Sequence, residues 1–208
     1  KGGPVDIGAG IKLDVYRSGP SSHSWWAMVV LMLVAGSLYL AYVFSYLYLW
    51  TVSPDVWAPA HAAGPPAATW PLMSALLLVA AVGAFIAADR SLPQAGHRNF
   101  AAAVWLIIGA AAAAAAIGSD VYGHWQTGLR PTDSSYAAMV YMAPVLTGQL
   151  VLAVGIMAFY SVARLATGRL DRVRRVTFDN VALLLYYAAA QGLVGLALVH
   201  GFPRLVGG

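Results

Sequence analysis

The chain has 208 residues, of which 60% are hydrophobic and only 10% charged, with a formal net charge of +4 and a mean hydropathy of +0.70. A soluble domain carries about 25% charged residues to keep its surface wet, so this composition excludes an ordinary soluble fold. Cysteine and glutamate are both absent, all eight acids being Asp, which rules out disulfides, thiolate metal sites, cysteine nucleophiles and any glutamate general base.

The first 22 residues are rich in Gly, Ser and Pro and lack the apolar core of a signal peptide. They read as a polar tail or linker. With a start at Lys1 rather than Met, they lead to the expectation that the chain is the C-terminal part of a longer polypeptide. Residues 23–208 then form a membrane domain. Five apolar runs are each long enough to cross a hydrocarbon core of about 30 Å. The first is Trp25–Trp50, with an aromatic belt at each end: Trp25 and Trp26, then Tyr46, Tyr48 and Trp50. The second, Trp70–Ala88, has Pro71 in its first turn, where a missing N–H costs little. The third is Phe100–Ile117, the fourth Tyr136–Val162 with Pro144 inside it, and the fifth Val176–His200. The predicted fold is an all-α, polytopic bundle of five transmembrane helices. The connections Thr51–Thr69, Asp89–Asn99, Gly118–Ser135 and Ala163–Arg175 have no strand pattern and no room for a domain.

Orientation follows from Lys and Arg. One side carries Lys1, Lys12, Arg17, Arg90, Arg98, Arg164, Arg169, Arg172, Arg174 and Arg175; the other carries Arg130 and Arg204. This pattern predicts a cytoplasmic N-terminus and an outside C-terminus. It also accounts for the basic balance without nucleic acid. Small residues at four-residue spacing, Ala80, Ala84 and Ala88 in the second run and Ala188 and Gly192 in the fifth, predict close helix packing.

The polar residues offer little chemistry. His23, His61, His97 and His124 fall in the expected tail and loops, and His200 at the outer end of the fifth run. No His-x-x-His or His-x-x-x-His occurs, so no haem or metal site is expected. The segment Asp120–Asp133, DVYGHWQTGLRPTD, reads as a solvated outer loop anchored by Tyr122 and Trp125. Gln149 and Gln191 lie near the middle of the fourth and fifth runs and should hydrogen-bond between helices, with Ser37, Tyr39 and Tyr42 as possible partners. Asp179, near the start of the fifth run, reads as a capping carboxylate favoured by free N–H groups. Proton collection or headgroup binding is its sharper alternative.

Three segments carry a family resemblance. Trp26-Ala27-Met28, heading HSWWAMVVLMLVAGSLYLAYVFSYLYLW, resembles the W-G-M that opens helix III of cytochrome c oxidase subunit III. TDSSYAAMVYMA is similar to that family's D-s-x-Y-G-s, with Asp133, Ser134, Tyr136 and Ala137 in place. VTFDNVALLLYY is similar to its W-H-F-V-D-V-V-W, with Phe178 matching and Asn180 at the Asp position. Their order and spacing resemble helices III–VII of the seven-helix form, over nearly the whole chain from Trp25. The departures are specific. The family's embedded glutamate, nine residues after that Trp, is Ala35; its H-x-x-H falls on Gly148 and Val151; the His of W-H-F is Thr177. They imply a divergent branch, most similar to the subunit III portion of fused subunit I–III polypeptides of bacterial aa3/caa3-type oxidases.

The resemblance implies a non-redox support subunit of a proton-pumping terminal oxidase in the aerobic respiratory chain, set in the bacterial inner membrane. The complex passes electrons to oxygen, with haem and copper in subunits I and II and no cofactor in this chain. The implied partners are those subunits and membrane lipid, with phospholipid bound, and the donor, cytochrome c or quinol, stays open. Trp26, Tyr136, Phe178, Asp179 and Asn180 are the candidate contact residues for packing, lipid and polar anchoring, and none is catalytic. The rival class is a self-standing transporter or channel, which would want broken helices or a polar site at the membrane midplane.

Overall fold

The computed structural model describes residues 5–6, 12–13, 19–53, 67–94 and 100–205. Five helices among them are long and apolar enough to cross a membrane. They are α1 (His23–Val52), α2 (Thr69–Arg90), α3 (Ala101–Gln126), α4 (Ser135–Ala166) and α5 (Val176–Leu196). The chain continues from α5 through a π-helical turn, Ala197–Gly201, into a last short helix, α6 (Phe202–Leu205). The tail contributes a minimal antiparallel pair, β1 (Val5–Asp6) with β2 (Lys12–Leu13). Most of the Pro/Gly/Ala loop after α1, with His61, and the segment holding His97 lie outside the described residues.

Four of the five helix ends fall close to the hydropathy limits. The exception is α3, which runs on through Ser119, Asp120 and His124 to Gln126, nine residues past Ile117. The loop expected from Gly118 to Ser135 is therefore half helix. The physical reason lies in its inner face. Leu106, Gly109, Ala113, Ala116, Asp120 and Gly123 recur at three- and four-residue spacing and are all buried. Asp120 and His124 thus face protein rather than lipid.

Helices α2 to α5 form the bundle, with the α2–α3 pair the most extensive, and α1 leans on it from outside, chiefly against α5. Only 11% of the most apolar window of α1 is buried, against 50% for the last span. The buried face of α1 is a line of tyrosines, Tyr39, Tyr42 and Tyr46, at helical spacing. Tyr42 donates from its hydroxyl to the carbonyl of Met139 on α4 at 3.0 Å.

Between the bundle helices, glycines receive large side chains. Gly109 on α3 takes the ring of Phe85 on α2, Gly123 takes Trp70, Gly192 takes Leu78, and Gly195 takes the hydroxyl end of Tyr39. The expected small stripe on α2 is shifted by one residue at its start. Ala81, Ala84, Phe85 and Ala88 are buried, while Ala80 is exposed. Ala188 and Gly192 on α5 are buried as expected. Ser74 adds a bond from its hydroxyl to the carbonyl of Ala116 at 2.8 Å.

The arginine-rich end is closed by directed polar contacts. Helix α4 stops at Gly168, whose positive φ of 66° lets the N–H groups of Gly168 and Arg169 turn back to the carbonyls of Leu165 and Arg164. Arg172 then reaches the chain after α2, donating to the carbonyls of Leu92 and Arg90. Asp171 beside it is 3% exposed and bonds the guanidinium of Arg174 at 2.7 Å. Burial works against its charge. Hydrogen bonds from the backbone N–H and guanidinium of Arg174, and from the N–H of Val173, nevertheless hold its pKa below the ordinary aspartate value.

Two expected outcomes follow. A Cβ at Gly109 would stand 2.5 Å from the Phe85 ring and 3.2 Å from the Ala81 carbonyl, whereas one at Gly83 meets nothing within 4 Å. Gly109→Ala should cost about 1–3 kcal/mol through overpacking, and Gly83→Ala should be neutral or gain up to about 1 kcal/mol from helix propensity. Thermal unfolding in detergent reads both. Asp171→Ala leaves two backbone N–H groups without their acceptor and should cost about 1–3 kcal/mol at neutral pH. The folded pKa lies below the unfolded one, near 3.9. The carboxylate's contribution is therefore complete above that value and disappears as pH falls through the lower folded pKa. The wild type should lose more stability on acidification than the variant, and equal acid limbs would remove Asp171 as a contributor.

Candidate functional site

The five residues singled out by the resemblance divide between the two ends of the bundle. Trp26 lies in the first turn of α1, 55% exposed, with its indole N–H on the carbonyl of Pro20 at 2.9 Å. Phe178 is the reverse case. It is 1% exposed and stacks on Phe85 with centroids 6.4 Å apart. Asp179 lies in the first turn of α5, as expected, and among the described residues its carboxylate pairs with a side chain. Its carboxylate accepts from Nε of Arg175 at 2.8 Å, and Arg175 also donates to Asp89 at 2.8 Å, making an Asp89–Arg175–Asp179 bridge between α2 and α5. The N-terminus of α5 has no side-chain cap at Arg175. Asn180 is 8% exposed, with a buried Oδ1 that has no hydrogen-bond partner. Tyr136 sits at the opposite end, 9% exposed, in the cluster formed by Tyr39, Tyr42, Tyr46, Val140, Ala143 and Val199. Ser134 caps α4 just before it, accepting from the N–H of Ala137 at 3.1 Å.

Of the two glutamines, Gln191 behaves as the sequence suggests, but with a different partner. Its amide donates to Thr147 Oγ1 on α4 at 3.4 Å. Gln149 is exposed on the outer side of α4. Ser37 bonds the carbonyl of Leu33 in its own helix.

The concentrated chemistry lies where none was expected. Because α3 continues past Ile117, Asp120 and His124 stand four residues apart on its buried face. His200 approaches from the π-helical turn that follows α5. Its Nε2 lies 2.9 Å from Asp120 Oδ1, and Nε2 of His124 lies 3.6 Å from the same oxygen. The two imidazoles stack with centroids 4.7 Å apart and planes at 19°. The side chains of His124, His200 and Asp120 are 3%, 5% and 11% exposed, and one donor atom from each falls within 4.8 Å of the others. His124 Nε2 is buried without a hydrogen-bond partner.

The surroundings fix the geometry. The ring of Tyr141 packs against His124, and the Tyr141 hydroxyl donates to the carbonyl of Leu129 at 2.8 Å. Arg204 donates to the carbonyl of His200 at 2.9 Å and holds the turn. A groove of about 350 Å³, bordered by Pro71, Leu72, Leu196 and Arg204, leads from the surface to His200. On the inner side, a void of about 10 Å³, about the space of one water, touches Ser74, Asp120 and Thr147.

An ionisable group inside a membrane bundle is expensive and is a functional site by default. The signal for this one was present as Asp120-x-x-x-His124 continuing the small-residue stripe of α3. The contribution of His200, 80 residues away, had none.

If Phe178 is a packing anchor and Trp26 a lipid-facing residue, their truncations should separate. Phe178→Ala should cost about 3–5 kcal/mol. Trp26→Ala should stay within about 0.5 kcal/mol, and thermal unfolding of the two variants in the same detergent checks the ordering. No protein-family model matches the chain, and no curated protein matches it in sequence.

Proposed function

We propose that this chain is a non-redox support subunit, or the corresponding C-terminal part, of a proton-pumping terminal oxidase. In this reading it braces subunit I and holds lipid, in the bacterial inner membrane with its N-terminus on the cytoplasmic side. The observation that carries the reading is the position of α1. That helix buries only 11% of its most apolar window against the rest of the chain. It offers a long outer face, including Leu33, Val34, Leu40, Phe44 and Tyr48, to whatever lies beside it. A span so loosely held by its own bundle suits a chain that completes its packing in a larger complex. The three resembling segments support the same reading, since Trp26, Tyr136 and Phe178 each lie in the first turn of a helix.

The lipid-holding part draws on an apolar trough of about 530 Å³ between α3 and α4, lined by Ala110, Ala114, Gly148, Val151, Gly155 and Phe159. Small residues on both walls leave room for an acyl chain. Gly148 and Val151, at the positions of the family's H-x-x-H, are part of that lining.

A self-standing transporter or channel is the second reading, and the buried Asp120–His124–His200 cluster is the observation in its favour. Mild-detergent purification of the chain from its own membranes tests the choice. The oxidase reading expects haem absorbance and oxygen consumption to copurify, with phospholipid retained. Chain that arrives pure and colourless would favour the second reading. Within the complex, loss of the chain should shorten the oxidase's catalytic lifetime. Asp179→Asn should leave assembly intact and change oxygen consumption less than about twofold, because a partly exposed ion pair is worth only about 0–1 kcal/mol. A large slowing at normal subunit content would give that carboxylate a part in proton uptake.

A further inference from the structure

We propose that Asp120, His124 and His200 bind a divalent transition-metal ion, zinc being the ion their donors fit best, and that the ion clips α3 to the end of α5. This inference does not draw on the oxidase reading, and it departs from the expectation of a metal-free chain that came with that reading.

The geometry is that of a ligand set. Two donors come from one helix at four-residue spacing and the third from a distant segment, so the site exists only when the bundle is folded. The Nε2 atoms of His124 and His200 stand 3.6 Å and 2.9 Å from Asp120 Oδ1. Ligands bound tetrahedrally at about 2.1 Å sit about 3.4 Å from each other, close to the two separations from Asp120, and because the rings are stacked with planes at 19°, at least one imidazole must swing out of the stack for both lone pairs to meet one ion. Two imidazoles and one carboxylate, with no cysteine anywhere in the chain, form a borderline donor set that suits zinc better than copper(I), calcium or magnesium. Three protein ligands also leave a fourth position for water.

The electrostatics point the same way. His124 Nε2 is buried on a side chain only 3% exposed and has no hydrogen-bond partner. An orphaned polar atom of that kind costs about 1–3 kcal/mol. Protonating both stacked imidazoles would set two like charges face to face with one carboxylate to balance them. A divalent ion instead uses both nitrogen lone pairs and offsets the Asp120 charge in a single centre. Protein that buries polar groups in a membrane bundle is expected to satisfy them, and within this cluster the Asp120–His200 bond satisfies only one imidazole.

Access and support are both present. The groove beside His200 brings the surface close to one of the three ligands. Arg204 fixes the backbone at His200, and Tyr141 packs against the His124 ring.

The test uses the purified full chain in detergent, stripped with a chelator and then titrated with zinc chloride. Calorimetry and elemental analysis after gel filtration should give one zinc per chain. The melting temperature should rise with free zinc, as a ligand that binds only the folded state requires. His124→Ala and His200→Ala should each weaken binding at least about tenfold, as losing even an outer-shell partner does, while His23→Ala at the exposed start of α1 should leave it unchanged. Cobalt(II) in place of zinc should show the intense visible bands of a four-coordinate site in the wild type and lose them in His124→Gln, which retains a polar side chain of similar size and guards against misfolding of the alanine variants. Folded wild-type chain that takes up no stoichiometric zinc would overturn the proposal. So would zinc binding unchanged in His124→Gln and His200→Ala. Neither result depends on haem copurifying, so failure here is separate from failure of the oxidase reading.

Discussion

The fold depends on how close the helices can come. Lipid tails are as apolar as leucine, so burying a leucine between two membrane helices gains little from the hydrophobic effect, and shape has to hold the bundle. In this chain, large side chains enter positions where the neighbouring helix has no Cβ. Phe85 enters at Gly109, Trp70 at Gly123, Leu78 at Gly192 and Tyr39 at Gly195. Each contact brings two backbones near enough for many small dispersion terms to add. The approach of α2 to α3 also lets Ser74 reach the carbonyl of Ala116. The same packing sets the separation of α3 and α5, and with it the distance at which Asp120 and His200 meet.

The two ends of the bundle solve the problem of charge in different ways. At the arginine-rich end, carboxylates and guanidinium groups are paired at the surface, and the bridge through Arg175 ties α2 to α5. Most of those groups keep some contact with solvent, so each pair is modest in energy and serves mainly to fix register. At the opposite end, charge is drawn inward. Asp120 and two imidazoles are almost closed off from the surface, in a medium where an unbalanced charge is costly. The first arrangement is ordinary for a membrane bundle. The second needs a reason to exist, and that reason is what makes it a candidate site.

Much of this architecture was legible in the sequence. Five apolar runs and the clustering of arginines define the five spans. Phe178 as a packing residue came from the resemblance of VTFDNVALLLYY to W-H-F-V-D-V-V-W, and it is buried. Its largest failure has one cause: hydropathy measures contact with lipid, and the interior of a bundle is not lipid. Helix α3 looked finished at Ile117 because Ser119, Asp120 and His124 are polar, yet Asp120 and His124 lie against protein, where polar partners replace the need for apolar surface, and Ser119 bonds the carbonyl of Ala115 in its own helix. Asp179 looked like a cap because it stands near a helix start, but a guanidinium one turn back is a stronger partner than a backbone N–H. Gln149 and Gln191 look equivalent along the sequence, and only the rotation of each helix in the bundle decides that one is buried and the other exposed.

The π-helical turn at Ala197–Gly201 carries a consequence for how such a chain can change over time. Such a turn arises when one additional residue is accommodated in an α-helix without breaking it. Because each α-helical residue turns the chain by about 100°, a turn that takes up one extra residue changes the face presented by the residues within it, His200 among them. The contact between His200 and Asp120 is thus governed by chain length as much as by residue identity. A lineage could acquire or discard it through one codon inserted or deleted, with every participating side chain left as it was.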